Sequence, residues 1–253
     1  MSGHSKWSSI KGKKGIADAK RGKIFTKLIR ELTMAAKKGG GNPDANPSLR
    51  MVIAKAREAN MPSDNVDRAI KRGTGELPGV IYEELTYEGY GPGGFAILVE
   101  VLTDNKNRTT AEIRNLFSKK GGNLAGAGSV SWMFNKKGYI MIDKKDAAED
   151  KLMSVVLDAG AEDLVVGETS YEITTTMQDF EKVKNAVKTN NIPYQVAELT
   201  MIPASTVKLE SAAAKQALSL VEMLEDQDDV QHVYANFDIP DSILMESAEG
   251  TSA

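Results

Sequence analysis

The 253-residue chain has no cysteine and only two histidines, His4 and His232, near opposite ends. Without a thiol there is no disulfide, no thiolate metal site and no cysteine nucleophile. So few histidines exclude a His-rich metal cluster and leave an all-carboxylate ion site as the remaining metal option. Long apolar runs are missing as well. The longest, Phe95-Ala96-Ile97-Leu98-Val99, falls far short of the roughly 20 residues that span a bilayer and reads as a buried strand. The N-terminus is basic with no apolar segment behind it, which does not fit a secretory signal. No membrane partner is expected, and a cytoplasmic location is. With 41% hydrophobic and 26% charged residues the composition is that of a globular chain of two or three domains.

Catalytic signatures are scarce too. Gly89-x-Gly91-x-x-Gly94 matches a dinucleotide pattern literally, but a hydrophobic strand follows where a helix N-terminus should hold the pyrophosphate. It reads as a hairpin turn. Gly12-Lys13 is followed by Lys14, and Gly22-Lys23 by Ile24, so neither supplies the hydroxyl of a Walker loop. The adjacent pairs Glu83-Glu84 and Asp228-Asp229 would point to opposite faces of a strand. No nucleophile–base pair is recognisable, so the chain is expected not to be an enzyme and to need no cofactor or metal. An enzyme or small-molecule sensor using a cleft between domains is the less favoured reading.

What the chain does have is segregated charge. The formal net charge is only −3, yet residues 1–72 hold 17 Lys/Arg against 6 Asp/Glu, a net +11. Residues 73–253 hold 15 against 29, a net −14. Residues 1–38 carry 11 basic and 2 acidic side chains, and from 206 onward there are 2 basic and 10 acidic. One end therefore suits a polyanion while the rest keeps the molecule dissolved.

Residues 1–16 read as a flexible basic arm. Helical spacing of Phe25, Leu28, Ile29, Leu32 and Ala36 predicts a helix over 17–38, with Lys20, Lys23, Lys27 and Arg30 on the opposite side. Two shorter helices follow: Asn46-Pro47 opens one to about 60, and Ser63 caps another to about 72. Beyond the Gly/Pro joint at 73–79 the pattern turns to β. Strands are expected at 81–88, 95–102 and 130–134, a helix at 109–120, and a glycine-rich loop or hinge at 121–129. Residues 138–202 spell βαββαβ, the ferredoxin-like order, and 206–237 add a strand, a helix and a last strand. The expected class is α+β, an N-terminal three-helix domain followed by two α/β (ferredoxin-like) domains, one inserted into the other. The boundaries are 1–76 for arm and helices, 77–135 plus 204–240 for the discontinuous domain, 136–203 for the insert, and an unstructured acidic tail at 241–253.

Two groups are candidates for contact with nucleic acid. Lys6, Trp7, Lys11, Lys13, Lys14, Lys20, Arg21, Lys23, Lys27 and Arg30 can release counterions from a phosphate backbone, and Trp7 can stack on a base or peg the arm down. In the run Asp104–Thr110 before a helix, Asn105, Lys106 and Arg108 are candidates to hold a phosphate at the helix N-terminus, the alternative being an ordinary turn in which Asp104 and Asn107 are the turn and capping residues. His232, in an alternating strand, reads as a surface or packing residue.

Several segments together resemble the YebC family. They are Gly3-His4-Ser5-Lys6-Trp7, Glu88-Gly89-Tyr90-Gly91-Pro92-Gly93-Gly94, Leu102 to Thr109, Gly121-Gly122-Asn123-Leu124, Gly128 to Phe134 and Asp228 to Tyr234. The resemblance spans the chain in order. It implies a helical domain and two α/β domains around a cleft, and a non-enzymatic regulator of gene expression. Bacterial members are described as DNA-binding transcriptional regulators. Others act on translation, including a mitochondrial translational activator and relatives linked to ribosomes stalled at proline-rich stretches. The expected partner is therefore DNA, with ribosomal RNA or the ribosome as the alternative. A monomer is compatible with the sequence, and the resemblance carries over no active-site residues.

Overall fold

A computed structural model of the chain describes residues 18–240 and 243–244, so residues 1–17, the expected arm among them, and most of the tail lie outside the described residues. Helix α1 (Asp18–Gly39) buries Leu28, Leu32 and Ala36, with Phe25 and Ile29 packed against the same cluster. Helix α2 (Pro47–Glu58) starts at Asn46, whose Oδ1 accepts the Leu49 N–H at 3.1 Å. The Asn46 amide nitrogen donates to the carbonyls of Ala35 and Gly40, each at 2.8 Å. One buried side chain thus closes α1 and opens α2. In α3 (Ser63–Thr74) the capping position is Pro62, with no side-chain cap bond, and Ser63 is the first helical residue rather than the cap. A Cβ on Gly73 would stand 2.3 Å from the Thr33 carbonyl oxygen, so α3 crosses α1 at backbone contact.

The first sheet contains β1 (Glu83–Tyr90), β2 (Ala96–Thr103), β3 (Asn123–Ala125) and, from far along the chain, β9 (Val230–Ala235). The order β3-β1-β2-β9 is antiparallel throughout. Helices α4 (Lys106–Lys119) and α7 (Ser211–Glu225) supply Ile113, Phe117, Leu220 and Leu224 to a core with Ile97, Val99 and Val233. The Gly91–Gly94 segment is the tight β1–β2 turn, with Gly93 and Gly94 at φ of 89° and 81°, the left-handed region that favours glycine.

Between β3 and α7 the chain builds the second sheet from β4 (Phe134–Asp143), β5 (Ala161–Val166), β6 (Ser170–Thr175) and β7 (Val196–Pro203). Helices α5 (Glu149–Asp158) and α6 (Phe180–Thr189) cover it, and the order β5-β6-β4-β7 is the ferredoxin-like arrangement. The first sheet shares this layering but not the strand order, because the hairpin puts β1 beside β2 and each helix delivers its following strand to an outer edge. A short parallel pair, β8 (Val207–Lys208) with β10 (Phe237–Asp238), completes the structure. The fold is α+β, a helical unit followed by two α/β units.

Three further local expectations change. Residues 130–134 are not a strand: Ser131–Met133 is a 3₁₀ turn and β4 begins at Phe134. The reason is Glu88, buried on the first sheet, whose carboxylate accepts the N–H groups of Gly128, Val130 and Ser131 at 2.7, 2.6 and 2.9 Å. Those donors cannot also join a ladder. Part of the glycine-rich loop pairs as β3 with β1. In the tail, Leu244 is fully buried in the core of the first α/β unit, because an apolar side chain there outweighs its acidic surroundings.

Candidate nucleic-acid interface

Lys23, Lys27 and Arg30 leave α1 on one side because they are spaced by four and three residues. That side is only partly open to solvent, with Lys23 exposed and Lys27 and Arg30 partly covered. It lies against the acidic turn Glu225-Asp226-Gln227-Asp228-Asp229 between α7 and β9. Lys23 Nζ donates to the Asp226 carbonyl at 3.0 Å, with the Asp226 carboxylate 3.8 Å away. Lys27 Nζ donates to the Glu225 carbonyl at 2.6 Å. Helix α7 has no basic residue in its own last turn. The two lysines therefore supply from another unit the cations that a helix C-terminus favours. Burial pushes the Lys27 ammonium below its ordinary pKa, and the charges of Glu225 and Asp226 restore only part of the difference.

Arg30 goes deeper. Its guanidinium donates to the carbonyls of Asp228 and Leu102, lies 5.6 Å from the Tyr82 ring centre, and meets Asp229 Oδ1 at 2.7 Å. Asp229 is where the two candidate groups converge. Its other oxygen accepts from Arg108 at 2.9 Å, Thr109 at 2.5 Å and Thr103 at 3.2 Å. Burial alone would push the Asp229 carboxyl up. The hydrogen bonds from Thr109 and Arg108 and the charges of Arg30 and Arg108 outweigh it and hold the group below the usual carboxylate range. The same carboxylate, with Asp104 at 2.8 Å, raises the pKa of the Arg108 guanidinium.

Of the Asp104–Thr110 candidates, Asn105 Oδ1 caps α4 by accepting the Arg108 N–H at 3.1 Å. Arg108 holds two carboxylates, and Lys106 is exposed. The cap is Asn105 rather than Asp104 or Asn107, so α4 starts at Lys106, three residues before the sequence estimate. Of the basic group, Arg21 is exposed. Lys6, Trp7, Lys11, Lys13 and Lys14 lie outside the described residues, as does the side chain of Lys20 within α1. Sequence reasoning passed over Asp229 and its turn. The signal was the acidic run at 222–229, which complements the α1 stripe. It also passed over exposed cations further along the helical unit, Lys37, Arg50, Arg57, Lys71 and Arg72. Arg50 and Arg57, seven residues apart, share one flank of α2.

Other charged contacts cross the same seam. Lys38 pairs with Glu84 at 2.5 Å. His232 stacks on Tyr234 with ring centres 5.9 Å apart and lies 3.9 Å from Glu31. The His232 side chain is still 41% exposed, and desolvation of the covered part, followed by the charges of Lys55, Lys27 and Lys136, pushes its imidazole down to about 4. At neutral pH it is uncharged, so the contact with Glu31 is not an ion pair. Among the described residues no group of three or more His, Asp or Glu is placed to hold a metal ion, and no helix is long and apolar enough to cross a membrane.

Two family models match nearly end to end. Residues 5–76 match the TACO1/YebC protein N-terminal domain, and residues 82–237 the TACO1/YebC second and third domain. A probable transcriptional regulatory protein of Syntrophobacter fumaroxidans is 56% identical over 245 residues, covering 96% of this chain and 98% of that protein. Another from Desulforapulum autotrophicum is 58% identical over 243 residues, covering 96% and 98%. The crystal structure of a conserved hypothetical protein from Aquifex aeolicus is similar at a TM-score of 0.77 and 46% identity, over 88% of this chain and 92% of that one. A three-helix N-terminal unit, an α/β unit interrupted by a ferredoxin-like one, and similarity along almost the whole length lead to one conclusion: the chain belongs to the TACO1/YebC family.

Proposed function

We propose that the protein is a non-enzymatic, nucleic-acid-binding regulator of gene expression. The observation that carries this reading is the surplus of positive charge at its N-terminal end. The acidic α7–β9 turn engages Lys23, Lys27 and Arg30, but Lys6, Lys11, Lys13, Lys14, Lys20 and Arg21 all precede them in the chain, against the single acid Asp18. Six cations against one acid over residues 1–21 is a charge density that suits a phosphate backbone. A further basic flank is available at Arg50 and Arg57. All three buried carboxylates among the described residues are already engaged: Asp229 by two arginines and two threonines, Glu88 by three backbone N–H groups, and Glu172 by the Tyr139 hydroxyl. That arrangement supports a binding role over a catalytic one.

The relatives bear the name of probable transcriptional regulatory proteins, which favours DNA as the target. The deciding experiment replaces Lys11, Lys13, Lys14 and Lys20 by Glu and measures affinity for nucleic acid against salt. Binding is expected to collapse, with the log–log salt slope on duplex DNA falling by about 0.9 for each phosphate that the variant no longer neutralises. Unchanged affinity with a flat salt dependence would refute the reading. Crosslinking in cells distinguishes the targets, because promoter DNA selects transcription and ribosomal RNA selects translation.

A further inference from the structure

Trp132 is 71% exposed, although an indole is among the most rewarding side chains to bury. It does not stand on a loose segment. The Glu88 carboxylate clamps the N–H groups of Gly128, Val130 and Ser131 just before it. Val130 and Phe134, buried on either side, join Ala96 and Leu98 in the small core where the two sheets meet. The indole Nε1 donates to the Ser129 carbonyl at 3.1 Å. The ring's one polar group is therefore satisfied within the protein, and what it offers to a partner is its π face.

The surroundings say which partner fits. No other exposed large apolar side chain lies between residues 121 and 136. The exposed neighbours in sequence are Gly126, Ala127, Gly128, Ser131, Asn135 and Lys136. Protein-docking patches are built around a contiguous apolar centre that excludes water. A single rigid ring among small, polar and cationic residues has instead the composition of a platform on which a base stacks beside a phosphate-binding cation. Lys136 is exposed, and its charge is felt at Glu100 and His232.

We propose that Trp132 is a stacking site for an unpaired base of the bound nucleic acid, with Lys136 meeting the neighbouring phosphate. The proposal rests on the nucleic-acid reading above and narrows it. Bases inside an intact duplex are already stacked on both faces, so the ligand is a single-stranded or locally unpaired segment. RNA and DNA can both present one.

The chain has two tryptophans, Trp7 and Trp132, so Trp7→Phe leaves Trp132 as the sole tryptophan, read by excitation at the red edge where its tyrosines do not absorb. That variant is titrated with a short single-stranded RNA, a DNA of the same sequence, and a blunt duplex. Binding is followed separately by anisotropy of a label on the nucleic acid. Single strands are expected to quench Trp132, and the duplex to bind through charge without quenching. Whichever single strand quenches at lower concentration names the source. Trp132→Ala in the full chain is expected to weaken single-strand binding about 5- to 150-fold, with Trp132→Phe retaining most affinity and duplex binding unchanged. Salt-sensitive binding of single strands with Trp132 unquenched, and Trp132→Ala binding as the parent does, would overturn the stacking site and leave the charge reading intact. Absence of any anisotropy change with all three ligands would remove both.

Discussion

Arg30 and Asp229 meet 2.7 Å apart across the seam between the helical unit and the first sheet, with only 13% and 2% of their side chains exposed. Arg30 Nε has no hydrogen-bond partner among the described residues, and neither has Oε1 of Gln231, two residues beyond Asp229. The pair is thus deeply buried but imperfectly satisfied. Such pairs contribute little net stability compared with apolar replacements, yet are costly to break from one side.

Asp229→Ala is expected to destabilise the fold by about 3–5 kcal/mol, because it strands Arg30 in the seam and removes one carboxylate from Arg108. Arg30→Met should cost less, since Asp229 keeps Arg108, Thr103 and Thr109. Urea denaturation of the two variants gives the comparison. Equal losses would contradict the hub role of Asp229.

Acid should unfold the protein partly through Glu88 and Asp229. Burial pushes the Glu88 carboxyl up, but the N–H groups of Val130, Gly128 and Ser131 outweigh it and hold it below its ordinary value of 4.5. Asp229 likewise lies below 3.8. Both groups stabilise the fold above those ordinary values and lose that contribution as pH falls through their depressed ones. Glu88→Gln should therefore be less stable at neutral pH and show a weaker acid dependence below about pH 4.5, read by near-ultraviolet circular dichroism of the Trp132 loop.

His232 acts at milder pH. Between its ordinary pKa of 6.5 and about 4 the unfolded chain binds a proton that the folded chain does not. Stability is thus expected to fall as pH drops through that window. His232→Gln should flatten the dependence there, while a matching slope in both proteins would exclude the imidazole as its source.

Gly73→Ala tests the crossing of α1 and α3. The added methyl would meet the Thr33 carbonyl at 2.3 Å and the Ala36 Cβ at 2.7 Å, and should cost about 1–3 kcal/mol by forcing the helices apart. A thermal melt within error of the parent would show that the crossing can relax.

The apolar stripe of α1, the hairpin glycines and the βαββαβ segment were all legible, because each is a local periodicity or turn. The partner of the basic stripe was not. Lys23, Lys27 and Arg30 looked like a solvent-facing array, since nothing within α1 shows that residues some two hundred positions later will cover it. Part of the charge imbalance complements the body rather than an outside partner. The 3₁₀ turn before β4 was hidden for a similar reason. Val130 to Phe134 has strand-like composition, and only the buried carboxylate of Glu88 on another strand withdraws its donors.

The position of the inserted unit sets an order of assembly. On a ribosome β4 through β7 emerge together and can close their sheet while α7 and β9 are still unmade. The first sheet cannot finish until Ala235 reaches Ile97, the kind of distant closure that slows folding. Arg30, synthesised early, waits for Asp229, synthesised near the end. A late part of the nascent chain is therefore the part that engages the α1 stripe, and until it appears Lys23 and Lys27 are unclaimed by the acidic turn.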